Sequence, residues 1–225
     1  MIKDNLSRVR HEIISACSKV NQDPAKVKIV AVSKGRKLEE IEDVLSCGIF
    51  DIGESRVQEA LTKHQHFTKK SPAYPITWHL IGHLQKNKAK DAVRIFDLIH
   101  SIDSLALAEK VDKEAERINK IQRVLIEIKT SSEETKFGFS LEEARNKIRQ
   151  ILEFKNLKVE GLMTIAPFSS SAQATRNSFK ALRELQERID FCNLPILSMG
   201  MSDDFQIAIE EGANLVRIGR AIFNP

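Results

Sequence analysis

The sequence has one tyrosine, three cysteines, no long apolar run and little charge imbalance. Each shortage excludes something. With a single tyrosine, any chemistry that needs a tyrosine proton donor must use Tyr74. Cys17, Cys47 and Cys192 are odd in number and have no CxxC spacing, which argues against a disulfide framework and against a zinc site. No apolar stretch approaches the roughly 20 residues of a membrane-spanning helix. Residues 1–21 read as an amphipathic helix rather than a secretory leader, so the cytoplasm is the expected location. Lys and Arg number 35 against 31 Asp and Glu, a formal charge of +4 that is spread along the chain and too small to argue for nucleic acid.

What is present is a globular composition. Of 225 residues, 42% are hydrophobic and 29% charged, too many aliphatics for a disordered chain. The length fits one large domain or two small ones, and a single α/β barrel needs about 200–250 residues. Short apolar runs alternate with longer stretches of helical period. The runs are 28–34 (KIVAVSK), 49–55 (IFDIGES), 77–83 (TWHLIGH), 98–103 (LIHSID), 123–130 (RVLIEIKT), 159–165 (VEGLMTI), 195–201 (PILSMGM) and 215–223 (LVRIGRAIF). Their length and aliphatic content suit buried parallel strands. Between them, Leu6, Val9, Ile13, Cys17 and Val20 form one apolar stripe, as do Leu105, Ala108, Val111, Ala115 and Ile118, and Phe179, Leu182, Leu185 and Ile189. Ser104 opens one helix, Ser140 with Glu143 makes a capping box, and Ser202 before Asp203 and Asp204 opens a helix that Gly212 closes. Residues 169–174 (SSSAQA) read as a surface loop. About eight strand–helix units in this length predict one (β/α)8 TIM barrel over residues 1–225, with an extra N-terminal helix. A doubly wound open sheet is the alternative, because alternation alone does not reveal closure.

Barrel chemistry sits at the C-terminal strand ends, and there the sequence is polar. Lys34 closes the first run, and a lysine at an apolar mouth is expected to be partly desolvated, which favours a nucleophilic amine and Schiff-base chemistry. A snorkelling surface lysine is the plain alternative. The segment Ser198–Ser202 (SMGMS), with Gly219 and Arg220 one strand later, suits a phosphate cradle: glycines allow close backbone approach, Ser202 offers a hydroxyl and Arg220 a charge. A plain serine cap and tight turn fit as well. Arg217 shares parity with Gly219 and so faces the interior, where it needs an acceptor: a carboxylate such as Asp51 or Glu54, or a cofactor ring nitrogen. His79 and His83 are four apart but straddle a strand end without further ligands, so no metal is expected and a structural role is favoured. Gln85 and Asn87 mark a helix start.

Seven stretches carry a resemblance: AVSKGRK at 31–37, IGESRVQE at 52–59, WHLIGHLQKNK at 78–88, IHSIDS at 99–104, GLMTI at 161–165, LSMGMSDDF at 197–205 and EEGANLVRIGRAIF at 210–223. In order and over nearly the whole chain they are similar to the pyridoxal phosphate-binding homeostasis proteins of the YggS/PROSC type. The resemblance implies a fold type III barrel like the N-terminal domain of alanine racemase, holding pyridoxal 5′-phosphate (PLP) as an internal aldimine. It implies Lys34 as the aldimine lysine. It implies Ser202 and the backbone near Met201 at the phosphate, completed by Gly219 and Arg220, with Arg217 facing the pyridine nitrogen. His79, Ser55, Met163 and Lys136 are further candidate cofactor contacts. Such proteins are thought to carry or buffer PLP, with apo-enzymes as conceivable recipients, and have no well-established turnover. An arginine at the ring nitrogen opposes its protonation and mutes carbanion chemistry, which still allows an amino-acid racemase as the alternative. The chain departs from the family pattern at Gly35, Ser55, Lys129 and Ser132. Tyr74, in the loop before the third run, is expected at the N-terminal mouth, far from the cofactor, and a monomer is expected.

Overall fold

The computed structural model of the chain describes residues 1–70, 74–131, 137–167 and 171–224, the Lys70 side chain excepted. Its strands are β1 (Lys28–Val32), β2 (Asp51–Glu54), β3 (Thr77–Leu80), β4 (Leu98–Ile102), β5 (Gln122–Lys129), β6 (Phe139–Ser140), β7 (Leu157–Met163), β8 (Ile196–Ser198) and β9 (Leu215–Ile218). Its helices are α1 (Ile2–Lys19), α2 (Leu38–Ser46), α3 (Val57–Lys70), α4 (Ala89–Ile95), α5 (Leu105–Glu116), α6 (Leu141–Ile151), α7 (Ala172–Arg188), α8 (Phe205–Glu210) and α9 (Arg220–Phe223).

The strands pair in parallel in the order β4-β3-β2-β1-β9-β8-β7-β5, and β4 pairs with β5 to close the ring. The two-residue β6 is appended to the end of β5. This is a (β/α)8 barrel with a leading helix, so the open-sheet alternative falls. Closure follows from the tilt of parallel strands whose outer faces are all covered by helices.

Strand alternation divides the core in two. Outward residues such as Ile29, Ala31, Ile52, Leu80, Ile99 and Val216 join a large cluster with the helices. Inward residues Val30, Leu98, Leu125, Met163 and Leu215, with Ile196, form a small plug inside the barrel. The apolar plug does not fill the interior. His79, His100, Ser198 and Arg217 share it, two residues along from an inward Thr77, Leu98, Ile196 and Leu215.

The N-terminal helix owes its place to its stripe: Leu6, Val9, Ile13 and Cys17 are buried against α8, α9 and α2, each large aliphatic burial being worth about 1.5–3 kcal/mol. Asn5 Nδ2 donates to the carbonyls of Ile222 (2.9 Å) and Asn224 (3.0 Å), tying the first helix to the last. The expected caps are present at Ser104, whose hydroxyl accepts from the Leu107 N–H, and at Ser140 with Glu143. Gly212 follows α8 with φ +95°, the left-handed stop expected of it.

Three boundaries differ from expectation. The run 215–223 splits at Gly219 into β9 and the short α9. Helix α8 begins at Phe205 with Asp204 as its N-cap, not at Ser202, because residues 202–204 form a turn that Gly200 (φ +92°) initiates. A Cβ on Gly200 would stand 2.6 Å from the Ala208 Cβ and 2.8 Å from the Phe205 Cα. Of the expected loop 169–174, Ser171 is already the N-cap of α7, and 169–170 lie outside the described residues. Among the described residues no helix is long and apolar enough to cross a membrane.

Candidate functional site

At the C-terminal mouth, Lys34 lies just past β1 and is exposed, so the partial desolvation expected of it is not there. Its turn is held from behind, outside the barrel. Lys63 on α3 donates to the Ser33 carbonyl (2.6 Å), to Glu54 Oε1 (2.6 Å) and to Glu59 Oε1 (2.8 Å). Glu59 also accepts the Gly35 N–H, and the Ser33 hydroxyl donates to Glu54. Glu54 is thus turned toward helix α3, not toward the interior. Burial pushes its carboxyl up, opposed by Lys63 and Ser33.

The loops after β8 and β9 meet above the same mouth. Ser202 Oγ accepts from the Ala221 N–H at 3.2 Å. The register that sets Ala31 beside Ile218 brings Gly219 over Val32, where a Cβ would lie 3.3 Å from the Val32 Cβ. The Met201 N–H, expected near a phosphate, donates instead to Asp204 Oδ1 at 2.6 Å. The Arg220 guanidinium is exposed and ion-paired with Asp203.

Arg217 is buried inside the barrel. It donates to the Ser198 carbonyl (2.7 Å), to Ser198 Oγ (2.7 Å) and to the Thr164 carbonyl (2.9 Å). The sequence offered Asp51 or Glu54 as its acceptor, but neither contacts it: Asp51 stands at the N-terminal end of β2, and Glu54 turns outward to Lys63. Burial pulls the guanidinium down to about 10, with Asp204 and Glu127 opposing, so it stays a cation at neutral pH. The described residues take three of its five N–H bonds.

The other candidates spread out. Met163 is buried in the interior plug, at the end of β7. Ser55 is half-buried beside a cavity of about 290 Å³ that Arg56, Gln58, His83 and Gln85 also line. His83 pairs with Asp103 at 2.9 Å and stacks on Phe137 with centroids 3.7 Å apart. His79 is buried in the interior between Asp51 (2.9 Å) and His100 (3.0 Å) and lines a cavity at the opposite, N-terminal mouth. Lys136 lies outside the described residues. Tyr74 precedes β3 and is therefore at the N-terminal end, where its ring stands 6.3 Å from that of Phe50.

One titratable group escaped the sequence reading. Glu127, inward near the end of β5, is held up to about 7 by burial and by Asp103, against the pull of Arg217. Inside the apolar run RVLIEIKT only its parity with Leu125 marks it. Thr130, Thr164 and Ser178 form a hydroxyl cluster, with Thr130 Oγ1 2.9 Å from Thr164 Oγ1 and 2.5 Å from Ser178 Oγ.

A family model described as the alanine racemase N-terminal domain matches residues 5–225. The pyridoxal phosphate homeostasis protein of Aquifex aeolicus is 40% identical over 223 residues, covering 98% of this chain and 96% of the relative. That of Synechocystis sp. is 41% identical over 203 residues, 89% of this chain and 92% of the relative. Among solved structures, PipY of Synechococcus elongatus PCC7942 with PLP bound superposes with a TM-score of 0.86 at 34% identity, covering both chains in full.

Proposed function

This chain belongs to the pyridoxal phosphate homeostasis proteins, built on the alanine racemase N-terminal domain, and from that premise we propose that it binds PLP at the C-terminal mouth of its barrel and serves intracellular PLP balance. The observation that carries the reading is a buried arginine, three of whose five N–H bonds the described residues take, set beneath a rim that bears a lysine, a serine and a side-chain-free glycine. That donor set suits the cofactor's two ends: a ring nitrogen that accepts a hydrogen bond and a phosphate that accepts several. When bound, PLP supplies an aldehyde that condenses with a primary amine, and an electron-drawing ring.

The residues divide the work. Lys34 offers the amine, on a turn that Lys63 and Glu59 hold still. Arg217 would orient the ring by donating to its nitrogen. A fixed cation there would oppose protonation of that nitrogen, weakening the ring as an electron sink and favouring holding over turnover. Ser202 and Gly219 form the phosphate side. Arg220 can exchange Asp203 for a phosphate at small cost, because an exposed ion pair is weak. A racemase would need a second acid–base group facing Lys34, and the one tyrosine, Tyr74, stands before β3 at the other end. We read the protein as a monomeric cytoplasmic carrier with apo-enzymes as recipients.

The test is a visible spectrum. Purified protein incubated with PLP is expected to turn yellow and to keep the colour through gel filtration, and Lys34→Ala to lose it. Colourless unsubstituted protein would overturn the reading.

A further inference from the structure

The hydrogen bonds of Arg217 do not end at Ser198. Ser198 Oγ lies 2.9 Å from His100 Nδ1. His100 Nε2 lies 3.0 Å from His79 Nδ1, and His79 Nε2 lies 2.9 Å from Asp51 Oδ1. The chain of contacts crosses the barrel interior. It joins β9, β8, β4, β3 and β2, and ends at the N-terminal mouth in a cavity of about 300 Å³ that Asp51, His79, Lys28 and Arg123 line.

The two ends dictate its direction. A guanidinium can only donate and a carboxylate can only accept. Asp51 is a carboxylate: burial works against it, but His79 and Lys28 together hold it below its ordinary range. His100 is neutral, because burial and then its basic neighbours push it well below the usual imidazole range. A neutral imidazole has one donor and one acceptor. With Asp51 as the accepting end and both rings neutral, one assignment satisfies every atom. Arg217 donates to Ser198 Oγ, the Ser198 hydroxyl donates to His100 Nδ1, His100 Nε2–H donates to His79 Nδ1, and His79 Nε2–H donates to Asp51. With neutral rings, any reversal turns a ring-nitrogen lone pair toward the other ring's lone pair or toward the Asp51 carboxylate, two acceptors facing each other in a buried site, which is unfavourable.

We propose that Ser198, His100, His79 and Asp51 are positioning residues for Arg217: a one-way hydrogen-bond relay through the barrel that fixes the guanidinium beneath the ring and is anchored at the opposite mouth. It rests on the reading that Arg217 faces the PLP ring. Three bonds aim the guanidinium from one side, and the relay aims the bond that is not to a backbone carbonyl. Polarised in a single sense, its members strengthen one another. The anchor lies at the first residue of β2, on the side of the barrel away from the cofactor rim, so that a change there reaches the ring only through the interior.

Two measurements test this. The first needs no cofactor. Nitrogen-15 spectra of histidine-labelled protein at pH 8 are expected to show His79 and His100 both as Nε2–H tautomers. An Nδ1–H form at either position, or a doubly protonated His79, overturns the relay. The second follows the visible band and the retention of PLP in Ser198→Ala, Asp51→Asn and Glu160→Gln. Ser198→Ala removes the link next to Arg217 and is expected to weaken retention about tenfold. Asp51→Asn removes the anchor and is expected to shift the visible band. Glu160, which pairs with Arg123 and Lys158, lies in none of these contacts. Its substitution by Gln changes the charge by the same amount, and the band is expected to stay in place. A band that stays put in Asp51→Asn, or moves equally in Glu160→Gln, overturns the proposal. If unsubstituted protein takes up no PLP, the functional reading fails instead, and the tautomer measurement still decides the relay.

Discussion

Glu127 is a carboxyl placed where a barrel interior meets its rim. Its cost is electrostatic and depends on pH. Raised to about 7 from the usual 4.5, it holds a proton in the folded state between those values that the unfolded chain has released. Stability therefore falls as pH rises through that window and levels off above about 7. Glu127→Gln removes the penalty. Denaturant titrations of cofactor-free protein are expected to show the variant more stable at pH 8, by about 3 kcal/mol, and close to the unsubstituted protein at pH 4.5. Equal gains at both pH values would mean that packing, not charge, sets the effect. Lys34, by contrast, was legible from its place at the end of an apolar run, but its exposure was not. How much water reaches a strand-end lysine depends on neighbouring loops far away in sequence.

Elements were legible where the code is local. The capping box at Ser140 and Glu143 and the stop at Gly212 are short-range chemistry, and both are present as read. Ser140→Ala removes the hydroxyl that accepts the Glu143 N–H and is expected to cost about 1 kcal/mol. That should lower the melting temperature by about 2–4 °C in a chain of this size, with no loss of PLP retention, since α6 is remote from β8 and β9. A change in retention would tie this helix to the site. Element ends were less legible where two signals compete. Ser202 has the chemistry of a cap, but Gly200 starts a turn that delays the helix to Phe205 and leaves the Ser202 hydroxyl to the Ala221 N–H. The run 215–223 reads as one apolar strand, yet Gly219 ends it and four residues coil instead.

At the scale of the whole molecule, the β4–β5 pairing closes the ring, and closure leaves the barrel strands no free edge to pair with another chain. Helix α1, which might have offered an apolar face to a partner, spends its stripe on α2, α8 and α9. These features favour a monomer, and sedimentation velocity is expected to give a single species near the chain's 25.5 kDa. A dimer would mean that a second copy covers part of the outer helix surface.

The sequence by itself determined the alternation of strands and helices, the caps, the parity that turns Arg217 inward, and the family to which the motifs point. The elements, caps and parity depend on spacings of two to seven residues, which a chain carries locally, and the family on short motifs read in order along it. The tertiary structure alone decided that the barrel closes, that Glu54 serves Lys63 behind the Lys34 turn, and that Arg217 reaches Asp51 only through Ser198, His100 and His79. Those contacts join residues 9 to 98 positions apart, on different elements. Which of them meet is set by the tilt and register of eight strands around a closed ring, a property no single segment holds.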